Sequence, residues 1–278
     1  MTKNRKPHII FESYNPYEAR YPGLRVISRE MLHLIKVLRD HGYNIIVEPD
    51  NGNKLYYLAE KGLREFLADP VIVLVVGIPL NLLLNLISNW VYDRLKRKPR
   101  ADDEVNLIFE YDENGHKARY DHSGQQISDE RFLVIQYSLN ERARLFKESL
   151  SIVPPEPSRP YPIYLEHSPK IVGWAERIVI DNSGLRVKGI KIFDQKTQMR
   201  IENNELEGFS IGGIIRKSIC SICNQDYVEC NHMTNRKYNG KECVVRIDDI
   251  LLADLSIVKK PVQPMARIEK IYKTKNAG

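Results

Sequence analysis

The sequence predicts an α+β protein with a mixed α/β N-terminal domain and a C-terminal domain built mainly of strands. Apolar residues recur at helical spacing in the first half and alternate at strand spacing in the second half. Five of the fifteen prolines fall within residues 154–162, where each one fixes φ and removes an amide donor. We therefore expect a domain over residues 1–150, a proline-rich linker over 151–162 and a second domain over 163–270.

The composition is that of an ordinary globular chain. Its 278 residues are 42 % hydrophobic and 28 % charged, which argues against wholesale disorder. The formal net charge is +6, and the basic residues cluster near the start, in residues 94–100 and after Val258. Such clusters are typical of solubilising surfaces, and they also attract phosphate or anionic lipid. The first residues lack the apolar core of a secretory signal, so we expect a cytoplasmic protein.

In the N-terminal half, apolar spacing predicts a helix over residues 25–40, a strand over 43–47 and a second amphipathic helix over 54–67. Residues 105–111 precede a Glu-Asn-Gly turn and are typical of one arm of a hairpin. A further helix is expected over 128–146.

Residues 70–92 form a long apolar segment without a charged side chain. Its length suffices to span a bilayer, which would tether the protein to the inner membrane face. Pro79 interrupts it, however, and four polar residues recur every fourth position: Asn81, Asn85, Asn89 and Asp93. The alternative is a buried strand over 71–76, a turn at 77–79 and an amphipathic helix over 80–97.

The C-terminal half alternates as strands do. Residues 171–180 and 185–193 flank an Asp-Asn-Ser-Gly turn, and a helix is expected over 197–206. Three more strands are expected, over 209–215, 244–247 and 251–258. Because few of these strands are separated by helices, the pattern favours a small antiparallel barrel or sandwich with one helix.

Three segments of this half contain His167, Ser210 and Asp254, in this order along the chain. They are YLEHSPKIVGWAERIVIDNSGLRVKGIKI, NELEGFSIGG and LLADLSIVKKPVQPMARI. In this order they resemble the maturation (prohead) proteases of tailed phages, over about residues 163–268. That family has a barrel similar to that of the herpesvirus assemblins, so the resemblance implies a small antiparallel β-barrel here.

The resemblance also implies a catalytic triad, because a serine hydroxyl needs a base, and the base needs an orienting acid. The matched positions make Ser210 the nucleophile, His167 the general base and Asp254 the orienting acid. Gly208 and Gly212 flank the serine, where glycine lets a substrate backbone approach closely. Phage members generally carry glutamate in place of Asp254 and an aromatic residue in place of Gly213.

All four cysteines lie between residues 220 and 243, inside an expected insertion over 218–243. Clustered cysteines of a reducing compartment are typical of a metal site, and zinc takes four N or S ligands. Cys220, Cys223 and Cys230 are the first three candidates. His232 and Cys243 compete for the fourth position. We expect a structural zinc ion that staples an otherwise long loop.

The sequence thus predicts a serine endopeptidase with a structural zinc site. The resemblance implies a role in capsid maturation, self-cleavage, a homo-oligomer and a protein substrate that is the chain itself or a capsid or scaffold protein. One alternative is a catalytically inactive pseudopeptidase that acts as scaffold or sensor. Another is a zinc-dependent nucleic-acid-binding module, although the modest charge and the lack of a stacking motif argue against nucleic acid.

Overall fold

The fold is that of a computed structural model, which describes residues 8–13, 15, 17–18, 20–50, 52–59, 71–76, 80–95, 107–113, 116–121, 123–134, 161–168, 170–181, 184–261 and 266–268. Most of the expected linker, residues 151–160, lies outside these ranges. The chain divides into two compact units. Unit 1 comprises Met1–Ala143 and Ile214–Leu251, and unit 2 comprises Arg144–Gly213 and Leu252–Gly278.

Unit 1 contains a five-stranded sheet. Its strands are β1 (His8–Glu12), β3 (Asn44–Glu48), β5 (Val71–Val76), β6 (Leu107–Glu113) and β7 (His116–Asp121), in the order β3-β1-β5-β6-β7. The pairs β1–β3 and β5–β6 are parallel, whereas β1–β5 and β6–β7 are antiparallel.

Unit 1 also includes the helices α1 (Arg29–Asp40) and α2 (Leu80–Leu95). Ser28 caps α1, because its side chain accepts a hydrogen bond from the amide of Met31. Both helices bury their apolar faces in a core that includes Ile9 and Phe11 of β1. On α2, Trp90 donates from Nε1 to Nδ1 of the buried His33 of α1, at 3.0 Å.

Unit 1 further includes β2 (Arg25–Ile27) and β4 (Leu55–Leu58), which pair in parallel. The strand β4 also pairs antiparallel with β11 (Gly208–Cys220). A small hairpin follows, formed by β12 (Lys237–Tyr238) and β13 (Lys241–Glu242), and then β14 (Val245–Val258) begins. Both β11 and β14 continue into unit 2.

Unit 2 holds β8 (Tyr161–Leu165), β9 (Ile171–Asp181), β10 (Gly184–Ile192) and the helix α3 (Gln195–Glu202). The strand order here is β10-β9-β8-β14-β11. The pairs β10–β9 and β9–β8 are antiparallel, and β8 pairs in parallel with β14, with Ser256 opposite Tyr164.

The predicted C-terminal antiparallel barrel is wrong. The described strands of unit 2 form an open sheet with β10 at its edge, and β8 and β14 run parallel. The expectation rested on the scarcity of helices between strands and on the resemblance to the prohead proteases. It failed because β8 and β14 are far apart in sequence, so no hairpin turn dictates their relative direction.

The prediction of one long apolar segment over residues 70–92 is also wrong. The structure has the alternative, a strand β5 followed by the helix α2. Of the α2 side chains that the structure describes, Leu83, Ile87, Trp90 and Val91 are buried, whereas Asn81, Asn85, Asn89 and Asp93 are exposed. Among the described residues, no helix has both the length and the apolar character needed to cross a membrane.

The helix expected over 54–67 is wrong where the structure describes it, because Leu55–Leu58 form β4. Residues 60–67 lie outside the described ranges, as does most of the helix expected over 128–146. Residues 129–134 of that helix are helical.

Candidate functional site

The side chains of Cys220, Cys223, Cys230 and His232 converge in unit 1. One potential ligand atom from each lies within 4.8 Å of all the others. Cys220 and Cys230 are buried, and the other two are partly buried. All four cysteines of the chain are free. This cluster is compatible with a metal site, and it contains four of the five residues expected from the sequence.

A tight turn at the end of β11 positions the first two cysteines. The amide of Asn224 donates to the carbonyl of Cys220 at 2.9 Å, and the amide of Cys220 donates to the carbonyl of Gln225 at 3.0 Å. Within the turn, the amide of Ile222 donates to Sγ of Cys220 at 3.4 Å. Burial raises the pKa of Cys220, but hydrogen bonds from the backbone amides of Cys223 and Ile222 lower it by more. The pKa of Cys220 is therefore below the ordinary value for a cysteine. The turn therefore favours a thiolate at Cys220.

The other two thiols need a neighbouring cation to become thiolates. Burial is the main reason why the pKa of Cys230 is raised to about 11 and that of Cys243 to about 12. A bound metal ion supplies positive charge of the kind that deprotonates such thiols.

His232 has a buried nitrogen that fits a metal. Its Nδ1 is buried and has no hydrogen-bond partner among the described residues. The ring meets that of Tyr238 edge-on, with centroids 4.5 Å apart. Because a buried polar atom without a partner costs free energy, ligation to a metal is one way of satisfying such a nitrogen.

Cys243 is the fifth candidate and lies beside Cys220. It is buried, and its Sγ is 3.7 Å from Sγ of Cys220. That separation is far longer than a disulfide bond. Cys243 is not among the four residues whose ligand atoms are all mutually close.

Lys36 is a charged neighbour of this cluster that sequence reasoning missed. It lies on α1 within a continuous run of buried residues, and it is 0 % exposed. Its Nζ donates to Sγ of Cys230 at 3.4 Å, to the carbonyl of His232 at 2.9 Å and to the carbonyl of Tyr227. The one signal in the sequence is a lysine amid the apolar residues of a helix, and this does not indicate its partner.

In unit 2, Ser210 lies on β11 and is 6 % exposed. Its neighbours Phe209 and Ile211 pack against the apolar cluster that includes Leu255 and Ile257 of β14. Side chains alternate along a strand, so Ser210 and Ser256 lie on the opposite face of the sheet from this cluster.

His167 follows β8 in a turn of unusual backbone conformation. Both Glu166 and His167 have positive φ, at 48° and 55°. The amide of His167 donates to Oγ of Ser256 at 3.1 Å, and the amide of Glu166 donates to the carbonyl of Ile257 at 3.0 Å. Arg200 of α3 lies 3.3 Å from the carboxylate of Glu166. These contacts hold the turn against β14, despite the strain of two left-handed residues.

Asp254 lies on β14, two residues before Ser256. The strand order β8-β14-β11 therefore brings the segments of His167, Asp254 and Ser210 to three adjacent strands. The side chain of Asp254 lies outside what the structure describes.

Gly208, which was expected to admit a substrate backbone, lies against Ala266 of the chain itself. A β-carbon at this position would lie 2.2 Å from the carbonyl oxygen of Ala266. The amide of Phe209 donates to that same oxygen at 2.8 Å. Glycine is therefore needed because the chain's own segment 266–268 passes beside β11.

Searches of protein families, of curated proteins and of solved structures find no match to this chain.

Proposed function

We propose that the chain is a serine endopeptidase of the prohead-protease type. The observation that carries this proposal is the strand order β8-β14-β11, because it makes the three motif segments neighbours. Ser210 is the nucleophile, His167 takes its proton, and Asp254 orients the imidazole. The substrate is a protein, either another copy of this chain or a capsid or scaffold protein.

The fixed main chain of His167 supports this assignment. A general base must be held in place, since small displacements of a catalytic group are costly. Ser256 and Ile257 fix the turn through its two amide groups. Ser210 and Ser256 lie on the same face of the sheet. The proposed nucleophile, Ser210, is therefore on the face where the His167 turn is hydrogen-bonded to Ser256.

The test is intact mass spectrometry of the concentrated protein with a fluorophosphonate probe. We expect one adduct per chain on Ser210 in the wild type, and none in Ser210→Ala or His167→Ala. Ser218→Ala is the matched control, because Ser218 is another buried serine of β11. Self-cleavage products that appear in the wild type and in Ser218→Ala, but not in Ser210→Ala or His167→Ala, would also support the peptidase. Equal labelling of Ser210→Ala and wild type would refute it.

The burial of Ser210 favours a second candidate, a pseudopeptidase that acts as scaffold or sensor. A side chain that is 6 % exposed offers little access to a substrate carbonyl. If the wild type is folded but forms neither adduct nor fragments at any concentration, the second candidate is the better one.

We also propose that the Cys/His cluster holds a structural zinc ion. Cys220, Cys223 and Cys230 provide three ligands, and His232 is favoured over Cys243 as the fourth. Zinc suits sulfur and imidazole ligands, and a site with four protein ligands has no open position for a substrate. Native mass spectrometry is expected to show one zinc per chain in wild type and none in Cys220→Ser. A metal-free wild type after zinc reconstitution would refute the site.

A further inference from the structure

Lys36 has an ammonium group that is fully buried beside the cysteines. Three hydrogen-bond acceptors surround its Nζ, namely Sγ of Cys230 and the carbonyls of Tyr227 and His232. Nζ also lies 3.5 Å from the centroid of the Tyr227 ring. A lysine ammonium has three donors and no acceptor, so these partners satisfy it completely. The site is thus built for the charged form of lysine.

The buried charge needs a negative partner. Among the described residues, the contacts of Nζ are these acceptors and this ring, and none is a carboxylate. An unpaired buried ammonium is costly, whereas one beside a thiolate is stabilised. The cysteine cluster is therefore the counter-charge of Lys36.

The charge of the metal centre depends on its fourth ligand. Three thiolates and one neutral imidazole around Zn²⁺ leave one net negative charge, and four thiolates leave two. One ammonium group neutralises the first set completely. The second set would keep an uncompensated charge in a buried place, and it would leave Nδ1 of His232 without a partner.

We propose that Lys36 is the charge partner of a zinc centre whose ligands are Cys220, Cys223, Cys230 and His232, so that the buried group is electrically neutral. This inference rests on the proposed zinc site. Lys36 acts through Cys230, as a positioning residue that holds the sulfur as a thiolate by an N–H···S hydrogen bond. Cys243 is then a buried thiol outside the ligand set.

The first test is the zinc affinity of the full chain, measured by competition with a chromophoric chelator. Lys36→Met removes the charge but keeps the length, and Lys36→Gln keeps an N–H donor without the charge. Mutating an outer-shell partner of a metal ligand costs about 10- to 100-fold in metal affinity, and we expect that loss in both variants because neither keeps the positive charge. Lys54→Met is the matched control, because Lys54 pairs with Asp226 of the same segment at 2.6 Å. The control is expected to bind zinc as the wild type does.

The second test is the alkylation rate of Cys230 in zinc-saturated protein, followed by peptide mass spectrometry. A hydrogen bond to a metal-bound thiolate lowers its nucleophilicity, so Cys230 is expected to react faster in Lys36→Met than in the wild type. A change in fold alone would speed all the cysteines equally. Equal rates and equal affinities in wild type and both Lys36 variants would overturn the role of Lys36 while leaving the zinc site intact.

A third variant tests the ligand set with Lys36 in place. Cys243→Ser is expected to bind one zinc with the affinity of the wild type, and His232→Ala to bind it more weakly. The opposite pattern would overturn the neutral ligand set, even if the Lys36 variants fail to fold. A wild type that binds no zinc refutes the proposed site itself.

Discussion

Ser256 shows how much of a candidate site depends on a single buried hydroxyl group. It is 0 % exposed, and its Oγ accepts the amide hydrogen of His167 at 3.1 Å. The backbone at His167 is therefore held by a residue outside the proposed triad.

We expect Ser256→Ala to weaken this turn. The partly buried amide of His167 loses its acceptor, which should lower the free energy of unfolding by about 0.5–1.5 kcal/mol. Chemical denaturation measures this change, and the phosphonate labelling rate of Ser210 should fall in parallel. The control is Ser168→Ala, which removes a hydroxyl that bonds to the carbonyl of Leu165 in the same turn. Wild-type stability and labelling in Ser256→Ala would contradict the role.

Lys36 and the cysteines mark the limit of sequence-based prediction at this scale. The spacing of Cys220, Cys223 and Cys230 predicted the cluster, because all its members lie close in sequence. The bond between Lys36 and Cys230 joins residues that are 194 positions apart. Such a pair depends on how α1 packs in unit 1, which no local pattern encodes.

Among the elements, α2 shows why composition alone misled. The apolar residues of 70–92 suit a membrane span and a core equally well, and the interruption at Pro79 and the fourfold spacing of the polar residues favoured a core. The exposed Asn81, Asn85 and Asn89 agree with that spacing. Period was therefore a better guide than hydrophobicity in this segment.

The helix α3 gives a pH-dependent prediction. Asp194 caps it, and its carboxylate accepts hydrogen bonds from the side chain and the amide of Thr197, at 2.6 and 3.0 Å. The hydrogen bond from the Thr197 side chain, and after it a hydrogen bond from the Lys170 side chain, lower the pKa of Asp194 to about 2. A carboxyl group with a lowered folded pKa stabilises the protein above its unfolded pKa, and this stabilisation is lost as the pH falls toward the folded value.

We therefore expect Asp194→Ala to be less stable than the wild type near neutral pH, and the difference to shrink between about pH 4 and pH 2. Urea midpoints at several pH values measure this. Asp194→Asn is the control, because it keeps a capping oxygen without a titrating group. A difference between Asp194→Ala and wild type that is unchanged at low pH would contradict the expected linkage.

The strand β11 gives a prediction about packing. A methyl group at Gly208 would collide with the carbonyl of Ala266 and come within 2.8 Å of Pro261 Cγ. Gly208→Ala should therefore cost about 1–3 kcal/mol, as overpacking does. Thermal unfolding measures it, with Gly240→Asn as a control in open space at a positive φ that asparagine tolerates. An unchanged unfolding temperature in Gly208→Ala would show that segment 266–268 can move away from β11 without loss of stability.

For the whole molecule, the sequence predicted the local elements better than their assembly. Hairpins such as β9–β10 have a turn signal between their strands, and this one was predicted. The parallel pairs β8–β14 and β2–β4 join segments that are not adjacent in sequence, and β8–β14 lies where the antiparallel C-terminal barrel was expected. Parallel pairing leaves no short turn to detect, which is why the topology could not be predicted.

Metal removal tests the proposed zinc at this scale. Arg236, Lys237 and Lys241 are exposed in the segment that follows His232. We expect a chelator to make trypsin cut there about tenfold faster or more, because an unligated loop samples open conformations. Cys220→Ser should be cut rapidly with or without zinc. Equal cleavage of zinc-loaded and chelated wild type would show that no metal constrains the segment.

The turn region between β11 and β14 has a consequence for the order of folding. These strands have 13 and 14 residues. Just after β11 ends and just before β14 begins, the amide of Ser221 donates to the carbonyl of Val244. Joining them requires closing a long loop, which slows folding. A metal bound early in folding would shorten that loop. The pairing of β11 with β14 would then begin near Cys220 and extend residue by residue toward Gly208. Ser210 and Asp254, toward the far ends of the two strands, would then be organised last, at a rate set by the supply of metal.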